Sequence, residues 1–533
     1  MKHWLIGSVA ATVLVVACGG SKEPEASDFP QEIAQAGDIK FPGLKLRAGD
    51  ASEAGDALAA LSLSESGAGR VSFADTSASG ADATFNDVVF NFPGDDAPMK
   101  AGSLAFKGLE MTDAGANFSQ MTLSDISLEL EDGENQSMNV SSVQLTNPSP
   151  ELGAWVASLM GEGEPAAFPS LDQLSFDGLS LGGLAIDASN IEELDVFQFG
   201  GIDVRSLSAT GIGSMVLEGI DIQGTDDDQA ISFSLGSVKI AGLNETMMAV
   251  LSSSFANGAT GGDPEQAIDE LMSLISASPG DPGYDSFVLD AFAADVSGVA
   301  VNVPSLEALV TRDNQDRATR SVTKPFTMSV KADPEGEIGS QLAGPLALMG
   351  YEELNFSGQG DVRMDPDADT LSSDSKDNFL ALEDGFKLSY GGSFGGLGDF
   401  YKAMAKSAES GANEEEALLG AVSSLALNEI DINLQDNSIV DKAFAVAAAM
   451  SGQDSAGLRV QATAGTAMLP ILAGQAGVDP ALAAELGGAL SKFLDGSGTL
   501  SIKLAPDAPL TADDFEDPTA LTKARLGFSA ETK

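Results

Sequence analysis

The sequence predicts an α+β protein dominated by β-structure: a large, curved, mostly antiparallel sheet is built from repeated hairpin–helix units, with helices packed on one face. Three observations favour this fold class, namely short segments of alternating apolar residues, a longer strand–turn–strand–helix unit that recurs, and amphipathic helical segments. The composition is typical of a globular protein, since 43% of the 533 residues are hydrophobic and 20% are charged.

The alternating segments share one pattern, in which a Gly or Asp follows two apolar residues and interrupts the alternation. They are SLAFKGLEM (103–111), MTLSDISLEL (121–130), QLSFDGLSL (173–181), VFQFGGIDV (196–204) and SMVLEGIDI (214–222). Alternation with period two predicts a strand with one wet and one apolar face. A Gly or Asp within such a strand indicates a bulge or bend.

A longer unit of strand, acidic turn, strand and helix recurs three times. The copies at 125–163 and 220–258 are offset by 95 residues, and a third copy lies at 362–411. The short acidic tips favour antiparallel hairpins. A β-solenoid is the alternative architecture, because the interrupted strands recur at about 20 residues within 173–222.

Apolar residues at helical spacing follow the hairpins and predict helices. The expected helices lie at 149–162, 244–255, 264–277, 399–410, 413–425, 439–451 and 480–494. Their Met and aromatic stripes are typical of core packing against a sheet, and the alternative interpretation is that they line a ligand cavity.

The N-terminal residues have the form of a signal peptide. Lys2 and His3 precede an apolar stretch from Trp4 to Val16 that is too short to span a bilayer. The end of this leader, Val15-Val16-Ala17-Cys18, resembles the lipobox of bacterial lipoproteins. The resemblance implies cleavage before Cys18 and acylation of Cys18, with palmitate as a suitable label; an ordinary secretory leader is the alternative.

The predicted organisation places this anchor ahead of two folded regions. The segments are the signal peptide at 1–17, the lipidated cysteine and flexible tether at 18–38, a repeat-containing β-rich body at 39–424, and a C-terminal region at 425–533 that packs on the body. Gly19 follows the cysteine where Asp would favour the inner membrane, so resemblance to enterobacterial sorting implies the outer membrane, facing the periplasm. The inner membrane and the cell surface remain as alternatives.

The C-terminal region differs from the body. A strand, the turn DNSIVDK (436–442), an Ala-rich helix and the segment FLDGSGTLSIKLAPDAPL (493–510) follow one another. This stretch resembles the C-terminal part of uncharacterised alphaproteobacterial envelope proteins. The resemblance carries no assigned chemistry and implies only a compartment and a fold.

Charge and reactive side chains restrict the function. The net charge of −53 excludes nucleic acid as a partner and favours a soluble monomer. The chain has one His and one Cys, both near the N-terminus, which excludes catalytic triads and zinc sites in the mature protein. Carboxylate chemistry, a Ser/Lys pair and oxygen-ligated calcium remain.

One acidic segment is a calcium candidate. Asp365, Asp367 and Asp369 alternate as in the first half of an EF-hand loop. Thr370 and Lys376 stand where that loop requires Gly and Glu, so the motif is incomplete and a solvated acidic turn is the alternative. Apart from calcium, we expect no cofactor.

One basic cluster is a candidate partner-binding site. It consists of Arg312, Arg317, Arg320 and Lys324. In so acidic a chain it would dock an acidic surface or pair with the acidic hairpin tips; the alternative is an exposed loop paired with Asp313 and Asp316.

These observations predict a lipid-anchored periplasmic envelope protein that acts as a non-catalytic scaffold or interaction module and is held to the membrane by its N-terminal lipid. Its further partners would be an envelope protein or lipid. The alternative is a carrier that binds a lipid or hydrophobic ligand in a groove between sheet and helices. We expect no enzyme, because a glycosidase cleft needs aromatic platforms and the chain has two Trp and four Tyr.

Overall fold

The computed structural model describes twelve stretches of the chain. These are residues 44–91, 98–129, 137–170, 172–186, 194–226, 229–244, 247, 281–400, 423–475, 477–496, 498–516 and 519–533. The predicted signal peptide, Cys18, the tether and most of the helices expected at 244–255, 264–277, 399–410 and 413–425 lie outside them. In the described stretches strand residues outnumber helical ones, which confirms the β-dominated fold class.

The described residues fall into two compact units. One, here the N-terminal unit, comprises residues 37–249 and 286–293; the other, the C-terminal unit, comprises 281–285 and 294–533. The region predicted as separate at 425–533 lies within the C-terminal unit. A domain boundary at 425 therefore stays a prediction.

The N-terminal unit is an antiparallel sheet with two helices. Its elements are α1 (Ala54–Ala60), β1 (Val71–Ser72), β2 (Asp75–Ser79), β3 (Asp82–Phe90), β4 (Met99–Lys107), β5 (Glu110–Thr112), β6 (Gly115–Asn117), β7 (Gln120–Glu129), β8 (Ser137–Thr146), α2 (Pro150–Met160), β9 (Phe176–Ile186), β10 (Leu194–Ser208), β11 (Gly211–Asp226), β12 (Gln229–Asn244) and the greater part of β13 (Ser286–Val296). From β7 to β12 each strand pairs with the next one in the chain. β3 pairs with β4 and β4 with β7, while β5 and β6 form a separate small hairpin.

Every described ladder is antiparallel, so the β-solenoid alternative is wrong. Hairpin connections between chain neighbours produce this topology, whereas a solenoid stacks parallel coils. The first predicted repeat is confirmed as the hairpin of β7 and β8 followed by α2. Its acidic tip at 131–135 lies outside the described residues.

Helix α2 shows why the predicted helix at 149–162 forms. The hydroxyl of Ser149 accepts the N–H of Leu152, and Pro150 occupies the first turn. Leu152, Val156 and Met160 are buried, so this stripe packs in the core as expected. The core also contains Phe106 and Phe118, whose rings pack edge to face with their centroids 5.2 Å apart.

The sheet of the N-terminal unit contains two rows of residues that interrupt the regular ladder. Row A consists of Asp87, Gly102, Asp125, Ser141, Gly183, Gly200, Gly219, Gly236 and, adjoining Gly236, Ala291. Row B, six residues earlier or later in every strand, consists of Ala81, Gly108, Ser119, Asn147, Asp177, Ser206, Gly213 and Gly242. From Asp87 to Gly236 in row A, and from Asp177 to Gly242 in row B, the paired residues on both sides continue in register and one residue per strand is skipped. The first four residues of row B lie just outside the ends of their strands.

Left-handed backbone alternates along both rows. In row A the residues with positive φ are Asp87 (50°), Asp125 (53°), Gly183 (43°), Gly219 (63°) and Ala291 (52°). In row B they are Gly108 (61°), Asn147 (48°), Ser206 (57°) and Gly242 (66°), which lie on the other strands. Only Gly, Asn and Asp adopt this conformation at low cost, which explains most of these residue types.

Small residues face the left-handed ones because the backbones approach closely. A Cβ on Gly200 would lie 2.7 Å from the carbonyl oxygen of Glu218, and one on Gly236 would lie 3.0 Å from that of Asp290.

The sequence pattern places its interrupting residues at Gly108, Asp125, Gly178, Gly201 and Gly219. The prediction is confirmed for Asp125 and Gly219, which are skipped inside their strands, while Gly108 follows the end of β4. It is wrong by one residue for Gly178 and Gly201, which are paired in the ladder; their neighbours Asp177 and Gly200 are skipped instead.

The C-terminal unit combines antiparallel strands with most of the helices in the described residues. After the end of β13 its elements are β14 (Val299–Arg312), β15 (Ala318–Ala332), α3 (Glu337–Leu348), β16 (Leu354–Asp365), β17 (Thr370–Ser373), β18 (Phe379–Leu382), β19 (Phe386–Gly395), β20 (Ala426–Asp436), α4 (Ile439–Ser451), α5 (Ser455–Thr466), α6 (Leu469–Gln475), α7 (Pro480–Leu494), β21 (Gly498–Leu504), α8 (Ala512–Glu516), α9 (Lys523–Leu526) and β22 (Ser529–Thr532). β14, β15 and β16 pair in order, and β16 pairs with both β17 and β18. These two pair with β19, and β20, β21 and β22 follow.

The helices predicted at 439–451 and 480–494 are present as α4 and α7. α7 begins after Asp479, whose carboxylate accepts the N–H of Ala481. Phe493 of α7 packs on Leu500 and Phe528, which forms the core of this end of the unit. Across the described stretches, no helix is both long and apolar enough to cross a bilayer.

Candidate functional site

The structure brings the predicted basic cluster and the predicted acidic tip together at one end of the strands of the C-terminal unit. Arg317 lies in the turn between β14 and β15, and Asp367 lies in the turn between β16 and β17. Because β15 pairs with β16, these turns are neighbours. Nη1 of Arg317 lies 2.8 Å from Oδ1 of Asp367, and Nη2 lies 2.7 Å from Oδ2 of Asp313.

Arg312 is the most buried of the four basic residues, with 9% of its side chain exposed. Its Nη1 lies 2.6 Å from Oδ2 of Asp281, and its Nε lies 2.7 Å from Oδ1 of Asp285. It also donates to the carbonyl oxygens of Asp316 and Tyr284. The hydrogen bonds to Asp281 are the main reason that the pKa of Arg312 is raised above its ordinary value.

The other two basic residues also pair within the chain. Arg320 makes a bidentate contact with Asp361, at 2.8 Å through Nε and 2.6 Å through Nη2. Asp361 is itself buried. Lys324 forms a salt bridge with Glu307.

All four predicted basic residues thus bind carboxylates of their own chain. The expected partners, an acidic tip and Asp313, are found for Arg317, whereas Arg320 and Lys324 pair with strand residues that were not predicted. Docking of a partner stays a prediction.

The three carboxylates of the calcium candidate have separate partners. Oδ1 of Asp365 accepts the N–H groups of Asp367 and Ala368, and Oδ1 of Asp369 accepts the N–H of Gly398 at 2.8 Å. Asp367 binds Arg317. In the described parts of the chain, no group of three or more His, Cys, Asp or Glu side chains is arranged to hold a metal ion. Calcium would have to displace Arg317 from Asp367, and the calcium site stays a prediction.

The two clusters enclose a cavity of about 250 Å³, here called the ion-paired cleft. Its charged lining residues are Asp281, Asp316, Arg317, Asp365 and Asp369, and its apolar ones include Met364, Leu371 and Leu397. The N–H and the guanidinium of Arg317 lower the pKa of Asp313 beside it. Among the described carboxyls, those with a resolved shift all have lowered pKa values, the opposite of what a general acid requires.

Asp281 and Asp285 complete this site, and sequence reasoning missed them. They lie 31 and 27 residues before Arg312 in the chain. Nothing in their spacing marks them, because only the pairing of the strands brings them to Arg312. The basic and acidic segments themselves were visible in the sequence.

Further cavities in the described residues include two that are lined in part by charged side chains. One, of about 420 Å³ in the C-terminal unit, is lined by Arg363, Asp374, Lys376, Asp431 and Lys503 among others. Another, of about 390 Å³, lies on the N-terminal sheet between rows A and B. Its lining includes Gly182, Gly200, Ile202 and the ion pair of Arg205 with Asp203. The Gly-rich segments were the sequence signal for its location.

Comparison with known proteins finds one matching family, and that family has no assigned activity. A family model described as "Uncharacterized protein" matches residues 379–533, which run from β18 to the last residue. No curated protein and no solved structure matches the chain. The matched region contains α4 to α9, and of the residues that line the ion-paired cleft it includes only Leu397. The N-terminal unit lies outside it.

Proposed function

We propose that the protein is a lipid-anchored component of the bacterial cell envelope, held by Cys18 at the outer membrane on the periplasmic side, and that it acts as a non-catalytic scaffold or interaction module. The leader and the lipobox-like end at Cys18 support the location. The tether at 18–38 would hold the folded units close to the membrane surface.

The proposed role rests on one observation: the charged side chains at the ion-paired cleft pair with one another and link separate segments of the chain. Arg317 links two hairpin turns through Asp313 and Asp367, and Arg312 links β14 to Asp281 and Asp285. Such charge-assisted pairs fix neighbouring hairpins relative to one another. The cleft therefore has the character of a structural clamp, which suits a rigid scaffold.

A carrier role is the second candidate, and the cavity between rows A and B favours it. Leu181, Ile202 and Val216 contribute apolar surface there. The same cavity is also lined by the charged side chains of Asp203, Arg205, Glu218 and Lys239, and covering charged groups with a hydrocarbon ligand would be costly. We therefore rank the scaffold above the carrier.

The location is tested by metabolic labelling with a palmitate analogue in a bacterial host, comparing the wild type with Cys18→Ser. We expect label and tight membrane association only in the wild type, because several acyl chains give stable anchoring. An unlabelled wild type, or a Cys18→Ser chain that remains as tightly membrane-bound as the wild type, would refute the lipid anchor.

The role is tested by native mass spectrometry of the unlipidated protein purified from the envelope of its own host. A co-purified protein at fixed stoichiometry is the result expected for a scaffold. A co-purified lipid, lost from an Ile202→Asp variant but retained by an Ile338→Asp control, would instead establish the carrier.

A further inference from the structure

Helices α4 to α6 of the C-terminal unit, together with the turn between α5 and α6, carry strongly exposed aliphatic side chains. The exposed fractions are 81% for Met450, 68% for Val460, 53% for Met468, 59% for Ile471 and 53% for Leu472. These five residues are here called the aliphatic face. On α5, Ala456 and Ala464 are also exposed, four residues before and after Val460. They therefore extend the outward apolar stripe along the helix, which Gln461 interrupts.

The one charged residue of α5 and the hydroxyl group of Thr463 contact other parts of the unit instead. Arg459 forms a salt bridge with Asp441, and its guanidinium lies 5.2 Å from the ring centroid of Phe444. Oγ1 of Thr463 lies 3.4 Å from Oδ1 of Asp495. A surface helix in water normally has the reverse arrangement, with its polar side outward.

One end of α5 lies against the neighbouring helix. A Cβ on Gly487 of α7 would lie 2.6 Å from the carbonyl oxygen of Thr466, at the end of α5. With α5 packed in this way, the aliphatic face is exposed in the folded protein.

The aliphatic face also lies in the least charged part of the helical region. Residues 443–475 contain one acidic side chain, Asp454, and one basic side chain, Arg459, in a chain whose net charge is −53. A partner for this face must therefore be apolar and electrically neutral. It offers no basic residue for an anionic surface.

We infer that the aliphatic face rests on the surface of a phospholipid bilayer with electrically neutral head groups. Exposed aliphatic side chains on such a helix enter the boundary between head groups and acyl chains. A second copy of the chain is a poorer occupant, because two chains of such high negative charge repel each other. A protein partner is also poorer, because interface cores are enriched in Tyr, Trp and Arg, and none of the five residues is of these types.

This inference rests on the proposed function in one respect: the lipid anchor would keep the face next to a bilayer. A tether raises the local concentration of a surface for its partner, so a modest intrinsic affinity is sufficient. The face and the anchor nevertheless have separate tests.

The test uses the chain without residues 1–17 and with Cys18→Ser, so that no acyl chain contributes. Its partitioning into small phosphatidylcholine vesicles is measured by flotation, together with that of the variant Met450→Gln/Val460→Gln/Ile471→Gln/Leu472→Gln. We expect the partition coefficient to fall about tenfold or more in the variant. We also expect weaker binding of the unsubstituted chain to vesicles that contain phosphatidylglycerol.

A matched control removes exposed aliphatic side chains from another helix of the same unit. Ile338 and Leu342 of α3 are 46% and 43% exposed, so Ile338→Gln/Leu342→Gln should leave partitioning unchanged. Far-UV circular dichroism and thermal unfolding check that all variants fold. Absence of vesicle binding, an unchanged quadruple variant, or an equal loss in the control would overturn the inference. So would a dimer in sedimentation that the quadruple variant abolishes, since the face would then join two copies.

A second readout reports on the face directly. Trp155 is the only tryptophan after the leader, so Trp155→Phe with Val460→Trp places a single fluorophore on α5. Vesicles should shift its emission to shorter wavelengths, and brominated lipid should quench it. If palmitate labelling fails while this signal persists, the proposed anchor is wrong and the inference holds; if labelling succeeds and the signal is absent, the inference alone fails.

Discussion

At the scale of single residues, backbone conformation explains the segments in which Gly or Asp interrupts a strand. The sequence pattern predicted a break at Asp125 and at Gly219, and both have left-handed backbone within their strands. It did not reveal that Ala291 and Ser206 adopt the same conformation, because these residue types rarely do so. Their positions in rows A and B follow from the register of the strands, which a single sequence does not display.

Gly219 gives the first prediction at this scale. Its φ of 63° is unfavourable for any side chain with a Cβ. Gly219→Ala should lower the free energy of unfolding by about 1–2 kcal/mol. Gly55→Ala is the control, because Gly55 lies in α1 with no atom near its missing Cβ; it should raise the free energy of unfolding by about 0.5–1 kcal/mol. Urea denaturation measures both, and equal effects would show that position 219 tolerates a Cβ in this conformation.

Arg312 gives the second prediction at the scale of single residues. Replacing it by Ala leaves the carboxylate of Asp281, 17% exposed, without its guanidinium partner. We expect a loss of about 2–3 kcal/mol in the free energy of unfolding, because an uncompensated charge remains in a largely buried place. Lys376→Ala removes a salt bridge whose lysine is 85% exposed, and this control should change stability by less than about 0.5 kcal/mol. Similar losses in both variants would contradict the structural-clamp interpretation of the cleft.

At the scale of elements, local signals located some helices and missed others. Ser149 with Pro150, and Asp479 with Pro480, mark the starts of α2 and α7, and both helices were predicted. α3 was not predicted, since it contains Gly339, Gly344 and Pro345, which favour other conformations. It is stabilised by packing of Leu346 in one cluster with Ala332 of β15 and Leu382 of β18, residues that are distant from it in the sequence.

The attachment of α7 to the last strand gives a prediction on pH. The ammonium group of Lys523 and the N–H of Ala530 both donate to Glu485 and lower its pKa below the ordinary 4.5. A carboxyl with a lowered folded-state pKa stabilises the fold above its ordinary pKa. That stabilisation is lost as the pH falls through the folded-state value. The melting temperature should therefore fall on acidification from about pH 6 to about pH 3, and less steeply in Glu485→Gln. Glu352→Gln, at an exposed position, should retain the wild-type slope.

At the scale of the whole molecule, sequence reasoning captured the general character of the fold and little of its ion pairing. Composition and alternation were sufficient for a β-dominated antiparallel protein with helices. The clamp of Arg317 joins Asp367 across 50 residues. Such a contact depends on how β14 to β17 pair, and no local pattern encodes that arrangement.

The charge of −53 gives a prediction for the whole chain. Sodium chloride between about 20 mM and about 500 mM should raise the melting temperature, because salt screens the repulsion between carboxylates. Calcium and magnesium chloride at matched ionic strength separate screening from binding. A shift seen with calcium alone, and abolished by Asp365→Asn/Asp369→Asn, would establish the calcium site; identical shifts for both divalent salts would remove it.

The alternation of left-handed residues between rows A and B also bears on how such a sheet can grow during evolution. In the run from β7 to β12, one strand of each hairpin carries its left-handed residue in row A and the other carries it in row B. Loss or duplication of one strand would place two strands side by side whose left-handed residues lie in the same row. Two such residues would then face each other where the backbones approach most closely. A pair of strands is therefore the smallest increment by which this architecture can lengthen or shorten while preserving its geometry.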